Sequence, residues 1–274
     1  MDKVTNWIKA TNSPNGISNG DAYNNFMGHW SALVAVKFIS WLKVDQGRRW
    51  LDLGCGTGVL TKSILEYGSP DFVHGIDPTE DYIAHCKSAF REDTRASFSI
   101  GGYSDLQAIS ETYDAVVAGL MLNFADKPQD AVIAMRNITA DNGIVGVYIW
   151  DYNQKMEMLS HFWEAVVELD SGASPFHESR RFKINDLRGL EQLFMNADFR
   201  EIMTASIEVS VRYQNFEEYW IPFSGGQGPA GVYYTSLKEA QRIELKKIMR
   251  RRIKAESDGS FVLEARALAI KGRK

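Results

Sequence analysis

The segment 49–58 constrains the fold of this chain more than any other stretch. Trp50, Leu51 and Leu53 form a short apolar run that is typical of a buried strand, and three glycines at alternate positions follow it. From Val59 onward the apolar residues recur at helical spacing. Strand, glycine turn and helix together predict a corner where a nucleotide-like ligand lies against bare backbone, because a Cβ on the glycines would block its approach.

The spacing of the glycines separates two kinds of nucleotide site. The motif is Gly54-x-Gly56-x-Gly58, and Val59 stands where the dinucleotide fingerprint Gly-x-Gly-x-x-Gly has its third glycine. Asp52 ends the strand, where a carboxylate would repel a pyrophosphate but would suit a ligand that carries an amino group. The pattern therefore argues against a nicotinamide or flavin oxidoreductase. The glycines alone also fit a plain strand-to-helix turn.

Further strands follow the glycine turn at regular spacing. Residues 71–77 are typical of a second strand, and it ends in Asp77, about 20 residues beyond the turn, where α/β cofactor sites place the acid that binds ribose hydroxyls. Apolar runs at 96–101, 113–118 and 144–150 alternate with helical patterns. This alternation predicts parallel strands with right-handed crossovers and a cofactor at the carboxyl ends of the strands, beside the first.

Three of these motifs together resemble the class I S-adenosylmethionine (SAM)-dependent methyltransferases. The residues that carry the resemblance are Leu51 to Gly58, Gly75-Ile76-Asp77 and Tyr113 to Gly119. The resemblance implies an α/β, Rossmann-like fold: a seven-stranded mixed sheet with an inserted, mostly helical lid. It also implies an enzyme that uses SAM as its cofactor and transfers a methyl group to an O, N or C atom of a small-molecule acceptor.

The segment 23–31 resembles a Tyr-x-x-Phe-Met-Gly-Arg-Trp-Ser pattern found in a bacterial subset of these enzymes. His29 stands where that pattern has an arginine, and a histidine cannot grip a carboxylate with two parallel bonds as an arginine does. The resemblance implies a flap over the cofactor, with Tyr23, Met27 and Trp30 against SAM and His29 in the substrate pocket. A helix that packs on the core explains the same spacing equally well.

The resemblance also implies a role for individual residues of the core. Asp52 would take the ammonium group of SAM and Asp77 its ribose hydroxyls. The other implied cofactor contacts are Gly54, Cys55 and Gly56 at the amino-acid end, Pro78, Tyr82, Tyr103 and Ser104 around the adenine, and Ala118, Gly119, Leu120 and Asn123 along the methionine part. The family usually has an acid at position 102, where this chain has glycine, so Tyr103, Ser104 or Asp105 is left to recognise the adenine.

The chemistry at the acceptor is less determined by the sequence. Asp151, Tyr152, Tyr219 and Trp220, with His29, are the candidate substrate-pocket residues. No residue identifies itself as a general base; Asp151, His29, His161 and His177 are candidates, but each is also explained as a structural polar residue. The tetrapeptide that nucleobase N-methyltransferases carry after strand four is missing from 118–124. No cluster has metal-ligand spacing, so no metal is expected.

Composition limits the partners and the cellular location. The net charge of −4 argues against nucleic acid, although the basic run 246–254 keeps an RNA methyltransferase open as an alternative. Apolar residues within that run lie on one helical face, which favours a solvated surface helix. The two cysteines, Cys55 and Cys86, give no disulfide framework, and no apolar run is long enough to span a membrane. A cytoplasmic protein is expected, and the oligomeric state is not predicted.

The breaks in the βα pattern predict how the chain is divided. A SAM-binding protein without turnover remains a further alternative, because no general base is identified. The predicted parts are an N-terminal arm and helix (1–42), a SAM-binding βα core (43–150), a lid insertion (151–183), a core helix with strand six (184–210), a second lid insertion (211–258) and the final core strand (259–274).

Overall fold

The computed structural model describes residues 27–182, 184–226 and 228–274. It divides into two compact units. The first, here the appended unit, consists of the described residues within 27–30, 151–182 and 208–266; the second, here the sheet unit, is Ser31–Trp150, Ile184–Ile207 and Ala267–Lys274.

The helices and strands follow one another in a βα pattern up to β5 and a more helical one after it. In chain order they are α1 (His29–Leu42), β1 (Arg49–Leu53), α2 (Val59–Tyr67), β2 (Phe72–Asp77), α3 (Glu80–Ala89), β3 (Ala96–Ile100), β4 (Tyr113–Gly119), α4 (Pro128–Ile138), β5 (Thr139–Trp150), α5 (Glu157–Leu169), α6 (Glu178–Arg181), α7 (Leu187–Asn196), β6 (Arg200–Tyr213), α8 (Phe216–Trp220), α9 (Gly228–Ser236), α10 (Glu239–Arg252) and β7 (Phe261–Arg273). Short 3₁₀ helices lie at Tyr103–Ala108, Leu122–Phe124, Ser171–Phe176 and Ile221–Gly225.

The strands form one seven-stranded mixed sheet in the order β3-β2-β1-β4-β5-β7-β6. Strands β1 to β5 pair in parallel, and β7 pairs antiparallel with β5. The predicted fold class is confirmed. The strand order reverses beside β1, which is the point where open α/β sheets bind ligands.

The register of the central strands sets which side chains share a face of the sheet. Asp52 lies opposite Val117, and Gly119 lies opposite Tyr148. Helix α1 packs on the face that Tyr148 occupies, with the ring of Phe38 4.7 Å from the tyrosine ring. The burial of almost every side chain of β1, β4 and β5 explains why these strands are near-continuous apolar runs.

Several element boundaries differ from the sequence expectation. Strand β5 begins at Thr139 and not at Ile144, because the predicted turn at Asn142 (φ 61°) is absorbed into the ladder as an irregularity. A 3₁₀ helix at Tyr103–Ala108 was not predicted. Thr79 precedes α3 as expected, but its side chain makes no capping bond; instead its backbone N–H donates to Asp77.

Candidate functional site

The three glycines of the turn after β1 all have left-handed backbone conformations. Their φ angles are 73° at Gly54, 53° at Gly56 and 84° at Gly58. A Cβ on Gly54 would lie 2.4 Å from Cγ of Met121, so the packing of the protein itself excludes a side chain there. A Cβ on Gly56 would meet no atom of the described residues within 4 Å. The middle glycine therefore leaves open space beside the turn, which a ligand can use for a close approach to the backbone.

Backbone hydrogen bonds fix this turn to the end of the neighbouring strand β2. The N–H groups of Gly54 and Cys55 both donate to the carbonyl of Ile76, over 2.7 and 3.1 Å. The N–H of Gly56 donates to Oδ2 of Asp77 over 3.0 Å. These bonds hold the turn and the carboxylate of Asp77 in a fixed position relative to each other.

Asp52 at the end of β1 is completely buried and only half satisfied. Its Oδ2 accepts a 2.7 Å hydrogen bond from Thr61 on α2, whereas Oδ1 has no hydrogen-bond partner within the part of the chain that the structure describes. Burial raises the pKa of this carboxyl to about 7; the negative charge of Asp77 adds to the rise, and the Thr61 bond opposes it. A buried carboxylate oxygen without a donor is costly, and a cationic N–H donor would compensate it.

Asp77 at the end of β2 is 7% exposed and already holds the backbone around it. Oδ1 accepts from the N–H of Thr79 over 2.9 Å, and Oδ2 accepts from Gly56. Burial raises its pKa, and the two backbone bonds oppose that rise. Because each carboxylate oxygen has more than one lone pair, both can still accept a hydroxyl from a ligand.

The corner after β4 carries a further unsatisfied oxygen and a residue in a left-handed backbone conformation. A Cβ on Gly119 would lie 2.5 Å from the hydroxyl of Tyr148, so this position has no room for a side chain. Leu120 has a φ of 62°, and its N–H donates to the carbonyl of Tyr148 over 2.8 Å. Oδ1 of Asn123 is buried and, among the described residues, lacks a hydrogen-bond partner. Strained backbone and an unsatisfied polar atom together are typical of a ligand-binding corner.

The residues expected around the adenine lie at the ends of β2 and β3. Tyr82 and Tyr103 are half-buried, while Pro78 and Ser104 are exposed. Asp105 accepts from the backbone N–H of Gly102 over 2.7 Å, so one of its oxygens caps the following 3₁₀ helix. The backbone N–H of Gly102 is therefore bonded to the carboxylate of Asp105, three residues later, and the sequence pattern did not reveal this bond.

The expected substrate-pocket residues lie in the appended unit, where most of their polar groups are occupied. Asp151 is 3% exposed; its Oδ2 accepts from Nε and Nη2 of Arg266 over 2.8 and 2.5 Å, and its Oδ1 accepts from the N–H of Gln154. Tyr219 is fully buried, and its hydroxyl donates to the carbonyl of Met158 over 2.7 Å. Burial raises the pKa of Tyr219 well above its usual value.

The remaining candidates of that unit differ in exposure. Trp220 is buried and stacks on Phe216, Tyr152 is half-buried beside Phe182, and His29 is exposed. Met27 and Trp30 are buried, and the indole N–H of Trp30 donates to the hydroxyl of Tyr213 over 3.1 Å. Tyr23 lies outside the described residues.

Among the described residues, neither the candidate general bases nor any group of metal-ligating side chains forms a second functional centre. Burial lowers the pKa of His161 and of His177, and Nδ1 of His177 is hydrogen-bonded to Ser179. In the described ranges no group of three His, Cys, Asp or Glu side chains is placed to hold a metal ion. Nor is any helix of that portion long and apolar enough to cross a membrane.

Known proteins share both the sequence motifs and the fold of the sheet unit. Residues 51–143 match the methyltransferase domain family. Malonyl-[acyl-carrier protein] O-methyltransferase of Halalkalibacterium halodurans is 26% identical over 104 residues, which cover 37% of this chain and 38% of that protein. The match spans less than half the length of that curated relative.

Solved structures extend the likeness beyond the methyltransferase domain. Phosphoethanolamine N-methyltransferase 2 of Haemonchus contortus, in complex with SAM, aligns with a TM-score of 0.57 at 14% identity over 100% of this chain and 60% of that one. The [4+2]-cyclase SpnF aligns with a TM-score of 0.54 at 16% identity, covering 87% and 80%. At these identities the likeness establishes the fold, which a protein named a cyclase also shares.

Proposed function

We propose that this protein is a SAM-dependent methyltransferase that methylates an O, N or C atom of a small-molecule acceptor. The observation that carries the proposal is Oδ1 of Asp52, which is buried at the carboxyl end of β1 beside the glycine turn and has no hydrogen-bond partner among the residues that the structure describes. An ammonium group would supply both the missing donor and the missing positive charge. SAM presents an ammonium group on its methionine part, and the match to the methyltransferase domain supports the same cofactor.

The residues present fit SAM at each end of the molecule. Asp52 would bind the ammonium group, and Asp77 would accept the ribose hydroxyls through its remaining lone pairs. The open side of Gly56 leaves room for the methionine chain, and Asn123 with the Gly119 corner would border it. The adenine would lie among Pro78, Tyr82, Tyr103 and Ser104.

The protein would contribute binding, orientation and the exclusion of water. When bound, SAM supplies a methyl group made electrophilic by a positive sulfonium. The acceptor has to be held in line with that methyl group, and positioning alone accounts for much of such catalysis. No side chain is assigned as a general base, since Asp151 is bonded to Arg266, and the pKa values of His161 and His177 are lowered by burial.

We further propose that the N-terminal arm and the two insertions act as a lid over the acceptor, with His29 and Tyr152 in contact with it. The exposure of His29 and the half-buried ring of Tyr152 support this choice, whereas Tyr219 and Trp220 would act by shaping the interior of the appended unit. Hydrogen exchange with and without S-adenosylhomocysteine (SAH) tests the lid. Protection should be gained over residues 23–30 and 219–231; equal exchange in both states would indicate a preformed pocket.

A small molecule is a better acceptor than RNA because the basic run on α10 is largely paired. Glu217 accepts from Lys246 over 2.6 Å and from Arg250 over 2.9 Å. Arg251 and Arg252 bind Glu168, at 2.9 and 3.2 Å. These carboxylates reduce the positive field that phosphate binding needs, and the ion pairs explain the run as a solvated helix face.

Calorimetry tests the proposal first at the level of the cofactor. SAM and SAH should bind and NAD should not, and excess SAH should raise the melting temperature because a ligand that binds only the native state stabilises it. SAM labelled in its methyl group, incubated with a small-molecule extract and separately with RNA, then identifies the acceptor class. Label in the small-molecule fraction supports the proposal. Label in RNA would favour the alternative acceptor, and SAH binding without any transfer would indicate a SAM-binding protein without turnover.

A further inference from the structure

The only two cysteines of the chain meet directly behind the glycine turn. Cys55 lies in the turn and Cys86 lies on α3. Sγ of Cys86 donates to the carbonyl of Gly56 over 3.3 Å, and Sγ of Cys55 is 3.9 Å from the same oxygen. The two sulfurs therefore lie against the same carbonyl oxygen. A pair of thiols therefore touches the peptide group that the cofactor is proposed to approach.

The space around this thiol pair is shaped by its neighbours. A Cβ on Gly75 would lie 3.0 Å from the sulfur of Cys55, and a Cβ on Gly58 would lie 3.2 Å from the sulfur of Cys86. Ile83 and Phe98 complete a small buried cluster around the sulfurs. Both glycines therefore leave room for the sulfur atoms, and the proposed binding of SAM gives the Cys86 thiol no task.

We propose that Cys55 and Cys86 form a reversible disulfide that weakens cofactor binding at the glycine turn. The inference rests on the proposed function for its consequence, whereas the formation of the bond is argued from the two sulfurs that lie against the Gly56 carbonyl in one buried cluster. With a peroxide as oxidant, one thiolate attacks the O–O bond and becomes a sulfenic acid, releasing hydroxide that takes up a proton to form water. The second thiol attacks that sulfur, the S–S bond forms and a second water leaves. Two thiols and one hydrogen peroxide thus give one disulfide and two waters.

The disulfide would act through Gly56. Its carbonyl accepts from Cys86, while its N–H donates to Asp77. Forming the S–S bond removes the S–H donor and ties α3 to the turn, so the Gly56 peptide and the Asp77 carboxylate it holds have to adjust. If the acid proposed to bind the ribose is displaced, the affinity for SAH should fall by at least about tenfold. By reciprocity, bound SAH should slow oxidation of the pair.

The reaction should be slow at neutral pH and faster in alkali. The hydrogen bond to Cys86 raises the pKa of the Cys55 thiol well above its usual value, and burial and the charges of Asp52 and Asp77 act in the same direction. Little thiolate is then present near neutrality, and the thiolate is the reactive form. The thiols are 6% and 0% exposed, so the oxidant reaches them only when the turn opens.

The test compares reduced and peroxide-treated wild-type protein. Intact mass under non-reducing conditions should show the loss of two hydrogen atoms without dimers, and SAH affinity should fall by at least about tenfold and recover with dithiothreitol. The Cys86→Ser variant, which cannot form the bond, should keep its SAH affinity after the same treatment. If it does not fold, Cys86→Ala serves, and the wild-type measurement stands without either.

Three results would overturn the proposal. They are an unchanged mass under peroxide that oxidises a dithiol peptide, a disulfide that leaves SAH affinity unchanged, and an equal loss of affinity in the variant that lacks Cys86. The reduced protein separates this inference from the proposed function. If the reduced wild type does not bind SAH, the proposed function fails, while the mass change still reports whether the disulfide forms.

Discussion

Two buried aspartates lie at the ends of strands of the same sheet, and they differ in whether the protein supplies a cationic partner for the carboxylate. Asp52 ends β1 and is 0% exposed, with one oxygen unsatisfied within the described part of the chain. Asp151 follows β5 directly and is 3% exposed, with both oxygens bonded, one to Arg266 and one to the N–H of Gln154. No cationic partner among the described residues offsets the cost of burying the Asp52 carboxylate, whereas the guanidinium of Arg266 offsets that cost for Asp151.

The difference separates a binding group from a structural one. A charge that the protein has paired supports the fold, and removing its partner is costly. A charge that the protein has buried and left unpaired lowers stability, which is typical of functional sites. Both residues were candidates from their position at a strand end, but of the two only Asp52 has an oxygen without a hydrogen-bond partner in the described part of the chain.

The largest expected effect is on cofactor affinity. Asp52→Asn removes the charge that would pair with the ammonium group of SAH, and losing one partner of a buried charge pair costs about 2–5 kcal/mol. SAH affinity should fall by at least about 30-fold by calorimetry. The matched Asp151→Asn variant should bind SAH like the wild type. Equal losses in the two variants would remove the distinction between them.

The second expected effect is on stability and has opposite signs at the two positions. The pKa of Asp52 is about 7 in the folded protein and near 3.8 when unfolded, so the native state holds a proton that the unfolded chain releases. Stability is therefore lost as the pH rises from about 4 to about 7 and stays low above it. Asp52→Asn should raise the free energy of unfolding at pH 8, by up to about 4 kcal/mol, which is the equivalent of a shift of about three pKa units.

Asp151→Asn should lower that free energy by about 1–2 kcal/mol, because Arg266 loses its carboxylate but is partly solvated. Urea unfolding without ligand measures both variants. A destabilised Asp52→Asn protein would show that the buried carboxylate is compensated after all.

A smaller effect is expected at Asp77. Asp77→Ala removes the acceptor for the ribose hydroxyls and also frees the N–H groups of Gly56 and Thr79. SAH affinity should fall by at least about tenfold, since a hydrogen bond to a charged group contributes about 1.5–3 kcal/mol. Calorimetry on a variant shown by circular dichroism to be folded measures it, and unchanged affinity would remove Asp77 from the site.

Local sequence patterns were sufficient to predict the sheet and to propose the cofactor side of the candidate site. The turn at 54–58, the acid before it and Asp77 lie within one βα unit and the next strand, so short-range spacing places them together. The same patterns missed the 3₁₀ helix at Tyr103–Ala108 and placed the start of β5 five residues late. There the backbone follows packing and pairing with distant residues rather than local propensity.

Which buried polar groups find a hydrogen-bond partner could not be predicted from the sequence. Asp151 pairs with a residue 115 positions away, and the hydroxyl of Tyr219 bonds to a carbonyl 61 positions away. No local signal distinguishes such residues from Asp52, which accepts a hydrogen bond from Thr61, nine positions away on the next helix. The substrate-pocket assignments of the sequence therefore stay proposals.

The most direct test of the account is the number of protons released when SAH binds. If Asp52 titrates near pH 7 and binds the ammonium group as a carboxylate, binding should release about one proton at pH 6 and far less at pH 7.5. Calorimetry in buffers of different ionisation enthalpy counts those protons, and SAH affinity should rise over the same pH range. No proton release at pH 6, or no binding of SAH at all, would contradict the assignment of Asp52 as the cofactor's counter-ion.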